Sequence, residues 1–149
     1  MGIEIERKFL VNEFDVGLAS DKIEIKQGYI FSSNGKVVRV RTYNDEAFIT
    51  VKYRKSSITR GEFEYPIPYD DGIELLENTC QEGLLEKTRY IYVFHGKKWE
   101  IDVFKGKNEG LILAEIELET EEEKFDVPHF IIKEVTGDKK YSNHNLAKK

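Results

Sequence analysis

The sequence has few of the residues that build disulfide scaffolds or soft-metal sites. Cys80 is the single cysteine among 149 residues, so the chain can form neither an internal disulfide nor a cysteine-based metal site. The three histidines, His95, His129 and His144, show no spacing typical of a metal-binding pair. This composition fits a reducing compartment, and we expect a cytoplasmic protein.

Long hydrophobic runs are also missing. The longest apolar run, Tyr90 to Phe94, is far shorter than the ~18 residues that cross a membrane. Charged residues begin at Glu4, and the N-terminal region has no apolar stretch of signal-peptide length. We therefore expect neither a membrane anchor nor a secretory leader.

Charge is what the sequence has in abundance. Charged residues make up 34% of the chain, and aromatic residues, at 12%, are frequent enough for a folded core. The net charge of -5 argues against a nucleic-acid partner, yet the 23 lysines and arginines could be concentrated in one place. The length predicts one domain over residues 1–149.

Eight segments alternate in polarity with a period of two and are bounded by turn residues, which predicts β-strands. They are Glu4 to Leu10, Lys22 to Phe31, Lys36 to Tyr43, Phe48 to Arg54, Thr59 to Pro68, Leu84 to Phe94, Lys98 to Phe104 and Leu111 to Glu119. Asp70 to Thr79 predicts a short helix, and Glu121 to Lys124 predicts the start of another. Gly137-Asp138 precedes a terminal helix through Tyr141 and Leu146. Consecutive hairpins with little helix between them favour a mainly β (α+β) fold, a closed eight-stranded antiparallel β-barrel or tunnel with a few flanking helices.

Charged side chains occupy one face of strand after strand. Glu4, Glu6 and Lys8 share a face, and two carboxylates about 7 Å apart repel each other unless a cation lies between or opposite them. The same parity joins Arg39 and Arg41; Thr50, Lys52 and Arg54; Arg60, Glu62 and Glu64; Lys87 and Arg89; Glu100 and Asp102; and Glu115, Glu117 and Glu119. A solvated outer face explains one such strand. Recurrence in acidic and basic blocks favours an inward face whose charges pair with one another or with ligands.

This ordered set resembles the signature of the CYTH superfamily, the triphosphate tunnel metalloenzymes, in its bacterial tripolyphosphatase-like form. The matching residues are Glu4-x-Glu6-x-Lys8, Gln27-Gly28-Tyr29, Arg39-x-Arg41, Thr50-x-Lys52, Glu62-x-Glu64, Lys87-x-Arg89, Asp102, Glu115-x-Glu117 and Glu134 to Asp138. The resemblance implies a tunnel that binds a small-molecule triphosphate with Mg²⁺ or Mn²⁺ and hydrolyses inorganic tripolyphosphate or nucleoside triphosphates, releasing orthophosphate. Carboxylate oxygens suit such hard ions, while arginine and lysine suit phosphate.

The resemblance also implies roles for single residues. Glu4, Glu6, Glu115 and Glu117 are the candidate metal ligands, and Lys8, Arg39, Arg41, Lys52, Lys87 and Arg89 are the candidate phosphate-binding residues. Lys8, Glu62, Glu64, Asp102 and Glu115 are the candidate catalytic residues. Among these, Glu62, Glu64 and Asp102 complete a second metal site, orient the attacking water or hold basic side chains in place. Arg54, Arg60, Glu100 and Glu119 lie either at the tunnel mouth or in surface pairs.

Other functions fit parts of the pattern. Class IV adenylate cyclases share the first motif but carry a His-Phe pair upstream, where this sequence has Met1-Gly2-Ile3. Thiamine triphosphatase activity would use the same tunnel. A non-catalytic polyphosphate- or nucleotide-binding module would need the basic lining alone, and a charge-rich sandwich acting as an interaction domain would have no tunnel. Apolar outer positions such as Tyr90, Tyr92 and Phe94 require cover from helices or a second subunit, which leaves a homodimer open.

Overall fold

The structure is a computed structural model that describes residues 2–148. Within these residues the strands are β1 (Gly2–Val11), β2 (Asp21–Ser33), β3 (Lys36–Tyr43), β4 (Glu46–Arg54), β5 (Thr59–Ile67), β6 (Leu84–Phe94), β7 (Lys97–Phe104), β8 (Ile112–Glu117) and β9 (Ile131–Glu134). The α-helices are α1 (Tyr69–Thr79) and α2 (Asn143–Ala147). Single 3₁₀ turns lie at Val16–Leu18, Gly106–Asn108 and Lys139–Tyr141.

Eight of these strands close into a barrel. Neighbouring strands follow the order β5-β4-β3-β2-β6-β7-β8-β1, and β1 then pairs with β5 from Gly2 opposite Glu62 to Ile5 opposite Thr59. All the pairings are antiparallel. The predicted closed eight-stranded antiparallel barrel with flanking helices is confirmed.

Tight turns set the register of the charged strands. Asn34 and Gly35 join β2 to β3 with φ angles of 51° and 77°, the left-handed pair that two-residue hairpins favour. The resulting register places Arg39 opposite Tyr29 on β2 and opposite Thr50 on β4. Because directly opposed residues point to the same face, the turn aligns the charged faces of neighbouring strands.

The short strand β9 was not predicted, and it changes one wall of the barrel. One edge of β1 pairs with β5 over Gly2–Ile5 and with β9 over Phe9–Val11. Between these pairings the wall is split beside Glu6 and Lys8. Loop contacts bridge the split, because the backbone N–H of Glu6 donates to the Ile58 carbonyl at 3.1 Å and that of Lys8 to Thr136 Oγ1 at 2.9 Å.

Apolar cores lie mainly outside the barrel. Trp99 is fully buried on the outer face against Phe9 and Phe125, with ring centroids 5.5 and 5.8 Å away. Phe14 covers the outer face of β6, its ring 5.9 Å from Tyr90 and 5.8 Å from Tyr92. The chain itself therefore supplies cover for these two tyrosines.

The predicted helix start at Glu121 to Lys124 is wrong, because that segment is an irregular turn. Its carboxylates accept hydrogen bonds from residues distant in sequence and do not take part in contacts along a helix. Glu121 accepts hydrogen bonds from Ser56 and Thr59, and Glu123 accepts from Lys97. These contacts tie the segment to the barrel, so it follows the barrel surface.

The C-terminal segment closes part of one barrel end. A terminal helix was predicted, and the structure has a 3₁₀ turn followed by the five-residue α2. Ala147 packs against Leu85, Phe104 and Leu113, which fill that end of the barrel interior. Asn108 Nδ2 donates to the Leu146 carbonyl at 2.9 Å and holds the segment in place. Among residues 2–148, the helices are all too short and polar to span a membrane.

Candidate functional site

The lumen of the barrel is a charged cavity of about 170 Å³. Its lining residues come from seven strands and the C-terminal segment: Glu4, Glu6, Arg39, Arg41, Tyr43, Lys52, Glu62, Glu64, Arg89, Glu100, Glu115, Glu117 and Asn143. The inward parity predicted for the charged residues on these strands is therefore observed. Lys8 lies just beyond this cavity, toward the end that α2 covers.

Glu64 organises the side formed by β3, β4 and β5. Its Oε2 lies 3.3 Å from an Arg39 nitrogen and 3.2 Å from an Arg41 nitrogen, and it accepts a 2.7 Å hydrogen bond from Thr50. Burial acts to raise the pKa of Glu64, but Arg41 and the Thr50 hydroxyl lower it below its ordinary value. Glu64 is therefore a carboxylate that orients two guanidinium groups.

The two arginines keep unused donors. The Nε atoms of Arg39 and Arg41 are buried and have no hydrogen-bond partner within the described part of the chain. Burial, followed by the neighbouring Arg39, lowers the pKa of Arg41. Buried donors without partners are costly, so these two N–H groups suit an anionic ligand.

Asp102 anchors the opposite side. It lies 2.7 Å from Lys87 Nζ and receives two hydrogen bonds from Arg89, at 2.8 and 2.9 Å. Burial opposes ionisation, but Arg89 and Lys87 lower the pKa of Asp102 below its ordinary value. Glu115 accepts from the same arginine at 3.0 Å. This network fixes a guanidinium group at the cavity wall.

Lys87 itself stands behind that wall. Its side chain is fully buried, its Nζ also lies 3.4 Å from Asn143 Oδ1, and it is absent from the residues that line the cavity. Burial lowers its pKa to about 8, with Asp102 acting in the opposite direction. The geometry therefore does not place Lys87 with Arg39, Arg41 and Lys52, and its role in phosphate binding stays a prediction.

Three carboxylates meet at the acidic side of the cavity. One oxygen from each of Glu4, Glu62 and Glu117 lies within 4.8 Å of the other two. Burial, then Glu4 and Glu62, raises the pKa of Glu117, the signature of like charges held together. Lys52 compensates part of this charge, at 3.0 Å from Glu4 and 3.5 Å from Glu62.

This donor set fits a hard divalent cation. Mg²⁺ and Mn²⁺ prefer carboxylate oxygens, and the cluster supplies three from different strands. The sequence had grouped Glu4 and Glu117 as metal ligands with Glu6 and Glu115, whereas the fold brings Glu62 to them. Glu62 joins because β1 pairs with β5 in the register that places Gly2 opposite Glu62.

The negative charges of Glu6 and Glu115 repel each other, but the two carboxylates have different neighbours. Burial works against ionisation of Glu115, yet Lys8 and Arg89 lower its pKa far below its ordinary value. Glu6 has no basic nitrogen within 4.0 Å among residues 2–148. Burial, then Glu115 and Glu4, raises the pKa of Glu6 to about 8.

The ammonium group of Lys8 is fixed by two contacts. Its Nζ donates to the Tyr141 carbonyl at 3.1 Å and lies 3.5 Å from Glu115. These two contacts fix the position of the ammonium group. Such a group is suited to binding an anion.

Three polar groups in or next to the cavity had no role in the sequence predictions. Gln27 is fully buried on the lumen side, with its Oε1 unpartnered in the described residues, and Tyr43 accepts a hydrogen bond from Arg89 at 3.1 Å. Both could have been found, because Tyr43 shares the parity of Arg39 and Arg41, and Gln27 lies opposite Arg41. Asn143 reaches the cavity from α2, and no strand pattern could have indicated it.

The remaining residues of matching parity separate into three groups. Glu100 lines the cavity and lies 3.3 Å from Arg89. Arg54 and Arg60 lie at the tunnel mouth, in a second cavity of about 620 Å³. Glu119 lies outside, exposed, because β8 ends at Glu117.

Comparison with known proteins agrees with this geometry. The CYTH domain family matches residues 2–148. An inorganic triphosphatase from Acetivibrio thermocellus is 46% identical over 148 residues, covering 99% of this chain and 95% of the relative. An inorganic triphosphatase from Nitrosomonas europaea is 35% identical over 97% of this chain and 96% of its own length. A solved inorganic triphosphatase structure superposes with a TM-score of 0.70 at 34% identity, covering 97% of this chain and 93% of that one. The chain belongs to the CYTH domain family.

Proposed function

We propose that this protein is a metal-dependent triphosphatase that hydrolyses inorganic tripolyphosphate, with nucleoside triphosphates as further substrates, to a diphosphate and orthophosphate. One observation carries the proposal: the closed barrel puts a three-carboxylate cluster and a set of fixed guanidinium and ammonium groups into one cavity. Basic groups alone would suit an anion-binding module. The carboxylate cluster beside them would hold a divalent cation, which would neutralise part of the phosphate charge.

We assign the metal to Glu4, Glu62 and Glu117, and the ion to Mg²⁺ or Mn²⁺. When bound there, the ion supplies Lewis-acid neutralisation of phosphate charge. The sequence prediction had Glu6 and Glu115 in this set. Glu115 is instead committed to Arg89 and Lys8, so we assign it to positioning those two cations.

The basic side chains hold the phosphate chain. Arg39 and Arg41 present unpaired Nε–H donors, and Lys52, Arg89 and Lys8 supply further positive charge around the same lumen. Glu64 and Asp102, predicted as catalytic, keep these groups oriented through the ion pairs described above. Phosphoryl transfer depends chiefly on such positioning and charge stabilisation.

Glu6 is the group we assign to proton transfer. Glu6 lines the same cavity as the carboxylate cluster and has no basic nitrogen within 4.0 Å among residues 2–148, so its carboxylate can accept a proton from the attacking water. The oxygen of the attacking water bonds to the terminal phosphorus while the bond to the bridging oxygen breaks. The water proton passes to Glu6, and the electron pair of the broken bond leaves with the diphosphate.

A phosphate-release screen tests the proposal. Purified protein is assayed on tripolyphosphate, pyrophosphate, ATP and thiamine triphosphate with Mg²⁺, Mn²⁺ or a chelator. We expect release from tripolyphosphate only with metal, and its loss in Glu6→Ala, while the exposed control Glu46→Ala keeps the rate of the unmodified chain. An unchanged rate in Glu6→Ala would overturn the assignment, and cyclic AMP formation from ATP would replace hydrolysis with cyclisation.

The cellular setting is part of the proposal. Cys80 is buried and unpaired, which suits a reducing cytoplasm. We propose a single catalytic domain over residues 1–149 that acts on small-molecule triphosphates rather than on nucleic acid.

A further inference from the structure

A second basic surface lies outside the charged lumen. This surface belongs to a cavity of about 620 Å³ at the end of the barrel that carries α2, and we call this cavity the vestibule. Four basic residues of its lining, the vestibule residues, are Arg54, Arg60, Lys139 and Lys148. This cavity shares Glu6, Arg39, Lys52 and Asn143 with the lumen cavity, so the two spaces adjoin each other at these residues. The vestibule also borders the split in the barrel wall between β5 and β9.

Charge in the vestibule is unmatched. Each basic group of the lumen lies within 4.0 Å of a carboxylate, as Arg41 does with Glu64 and Lys52 with Glu4. None of the four vestibule residues has a carboxylate within that distance among residues 2–148. Glu6 is the acidic residue in the cavity lining, and Asp138 at its margin accepts a hydrogen bond from the Lys140 backbone.

The fold also brings two of these cations together. Arg54 and Arg60 are directly opposed partners in the β4–β5 pairing. Like charges at directly opposed strand positions are destabilising, so this pair lowers stability unless an anion lies between or beside the two side chains. Opposed arginines next to a charged lumen, at the barrel end that carries α2, indicate an anion site rather than a structural pair.

The chemistry of the lining favours phosphate over a nucleoside. Tyr29 is the aromatic residue of the lining apart from His144, and the two rings meet edge to face at 5.3 Å. The two ring planes are nearly perpendicular, at 84°, so they form no pair of parallel faces for a base. Serine, asparagine and basic groups make up most of the remaining surface.

We propose that the vestibule is an outer subsite for the fourth and later phosphoryl groups of a linear condensed phosphate whose terminal triphosphate lies in the lumen. This inference rests on the proposed function. Because the lumen supplies its own cations, tripolyphosphate would gain little from the vestibule, and longer chains would gain an additional set of ion pairs.

The test compares chain lengths in matched triple variants. R54Q/R60Q/K139Q removes three vestibule charges, and the control K36Q/K55Q/K140Q removes three exposed charges outside both cavities. The KM and kcat for tripolyphosphate, tetrapolyphosphate and a longer linear polyphosphate are measured with Mg²⁺. Calorimetric titration of the metal-free protein with the same three anions reports binding without turnover.

We expect the vestibule variant to raise the Kd and KM for the longer chain about tenfold at low salt, while those for tripolyphosphate change less than about twofold. The control should leave all values unchanged, and the charge-retaining variant R54K/R60K/K139R should recover most of the loss. Equal losses for all three anions, or for ATP as well, would overturn the outer subsite. Absence of tripolyphosphate hydrolysis in the unmodified protein would refute the proposed function, while the titrations would still test the vestibule.

Discussion

Two walls of the same lumen handle charge in opposite ways. Around Asp102, two cations and one carboxylate are bound to each other at 2.7 to 2.9 Å within a buried network. On the neighbouring strands β8, β1 and β5, Glu4, Glu62 and Glu117 lie together with Lys52 as their one close cation in the described residues. The first wall is electrostatically complete in the protein alone, whereas the second carries an excess of negative charge.

The difference separates scaffold from binding site. A buried ion pair with full hydrogen bonding holds its members in one geometry. Removal of one partner leaves the other charge buried without compensation, which strongly destabilises the fold. A carboxylate cluster with excess negative charge destabilises the fold until a cation binds, so removing the charge of Glu117 should cost little stability, whereas Glu4 also forms a buried ion pair with Lys52. Mutations should therefore divide into those that unfold the protein and those that stop it working.

Asp102→Ala should give the largest loss of stability. It leaves Lys87 and Arg89 buried without their main partner, a change that typically costs about 3–5 kcal/mol. The midpoint temperature of thermal unfolding should fall by roughly 10 °C, or the protein should become insoluble. Asp45→Ala, in an exposed turn, is the control and should unfold as the unmodified protein does. A small loss in Asp102→Ala would mean that the network is not a scaffold.

Glu117→Gln should act on function instead. It removes one charge from the carboxylate cluster, so the rise in thermal stability caused by Mg²⁺ should disappear and tripolyphosphate hydrolysis should fall by roughly 100-fold. Stability in chelator should stay level or increase, because a like charge has been removed. Differential scanning fluorimetry with and without Mg²⁺, beside an activity assay, distinguishes this result from unfolding. Glu119→Gln, two residues on and exposed, is the control.

Glu6→Gln should change how stability depends on pH. In the metal-free protein the folded state keeps the Glu6 proton up to about pH 8, whereas the unfolded chain releases it near the ordinary value of 4.5. Stability should therefore fall as pH rises from about 4.5 to 8, by up to about 5 kcal/mol at about 1.4 kcal/mol per pKa unit, and a neutral glutamine would not undergo that loss.

Unfolding of Glu6→Gln and the unmodified chain in chelator at pH 5 and pH 8.5 checks this sign. The two proteins should be similar at pH 5, and the variant should be more stable at pH 8.5. A variant that is less stable than the unmodified chain at pH 8.5 would contradict the prediction, because it would show that the ionised Glu6 carboxylate stabilises the folded state.

Sequence periodicity could predict the barrel and the identity of its inner face. Alternation along a strand fixes which residues share a face, so Glu4 and Glu6, or Arg39 and Arg41, were grouped correctly without any knowledge of neighbouring strands. The closed barrel followed from consecutive hairpins. The roles assigned to these residues stay predictions, because parity defines a face and not a bond.

The alternation of side chains along a strand could not predict how deeply a residue lies in the barrel, nor the register between strands that are distant in sequence. Glu62 meets Glu4 and Glu117 because β5 returns to β1 after the barrel closes, a contact between residues far apart in sequence. Lys87 has the right parity but is covered by Asp102 and the C-terminal segment. Glu121 carried a plausible helix signal, yet its contacts with Ser56 and Thr59 hold the chain in a turn.

Arg7→Gln offers the smallest effect and completes the comparison on the outer surface. Arg7 pairs with Glu134 through two hydrogen bonds at 2.6 and 2.8 Å, a geometry as good as that of Arg89 with Asp102. Both side chains are about one third exposed, so water screens the pair and its loss should cost less than about 1 kcal/mol. Urea unfolding should show this small shift, and tripolyphosphate hydrolysis should not change, because Arg7 points away from the lumen. A loss equal to that of Asp102→Ala would mean that burial is not what distinguishes the scaffold wall from the rest of the charged surface.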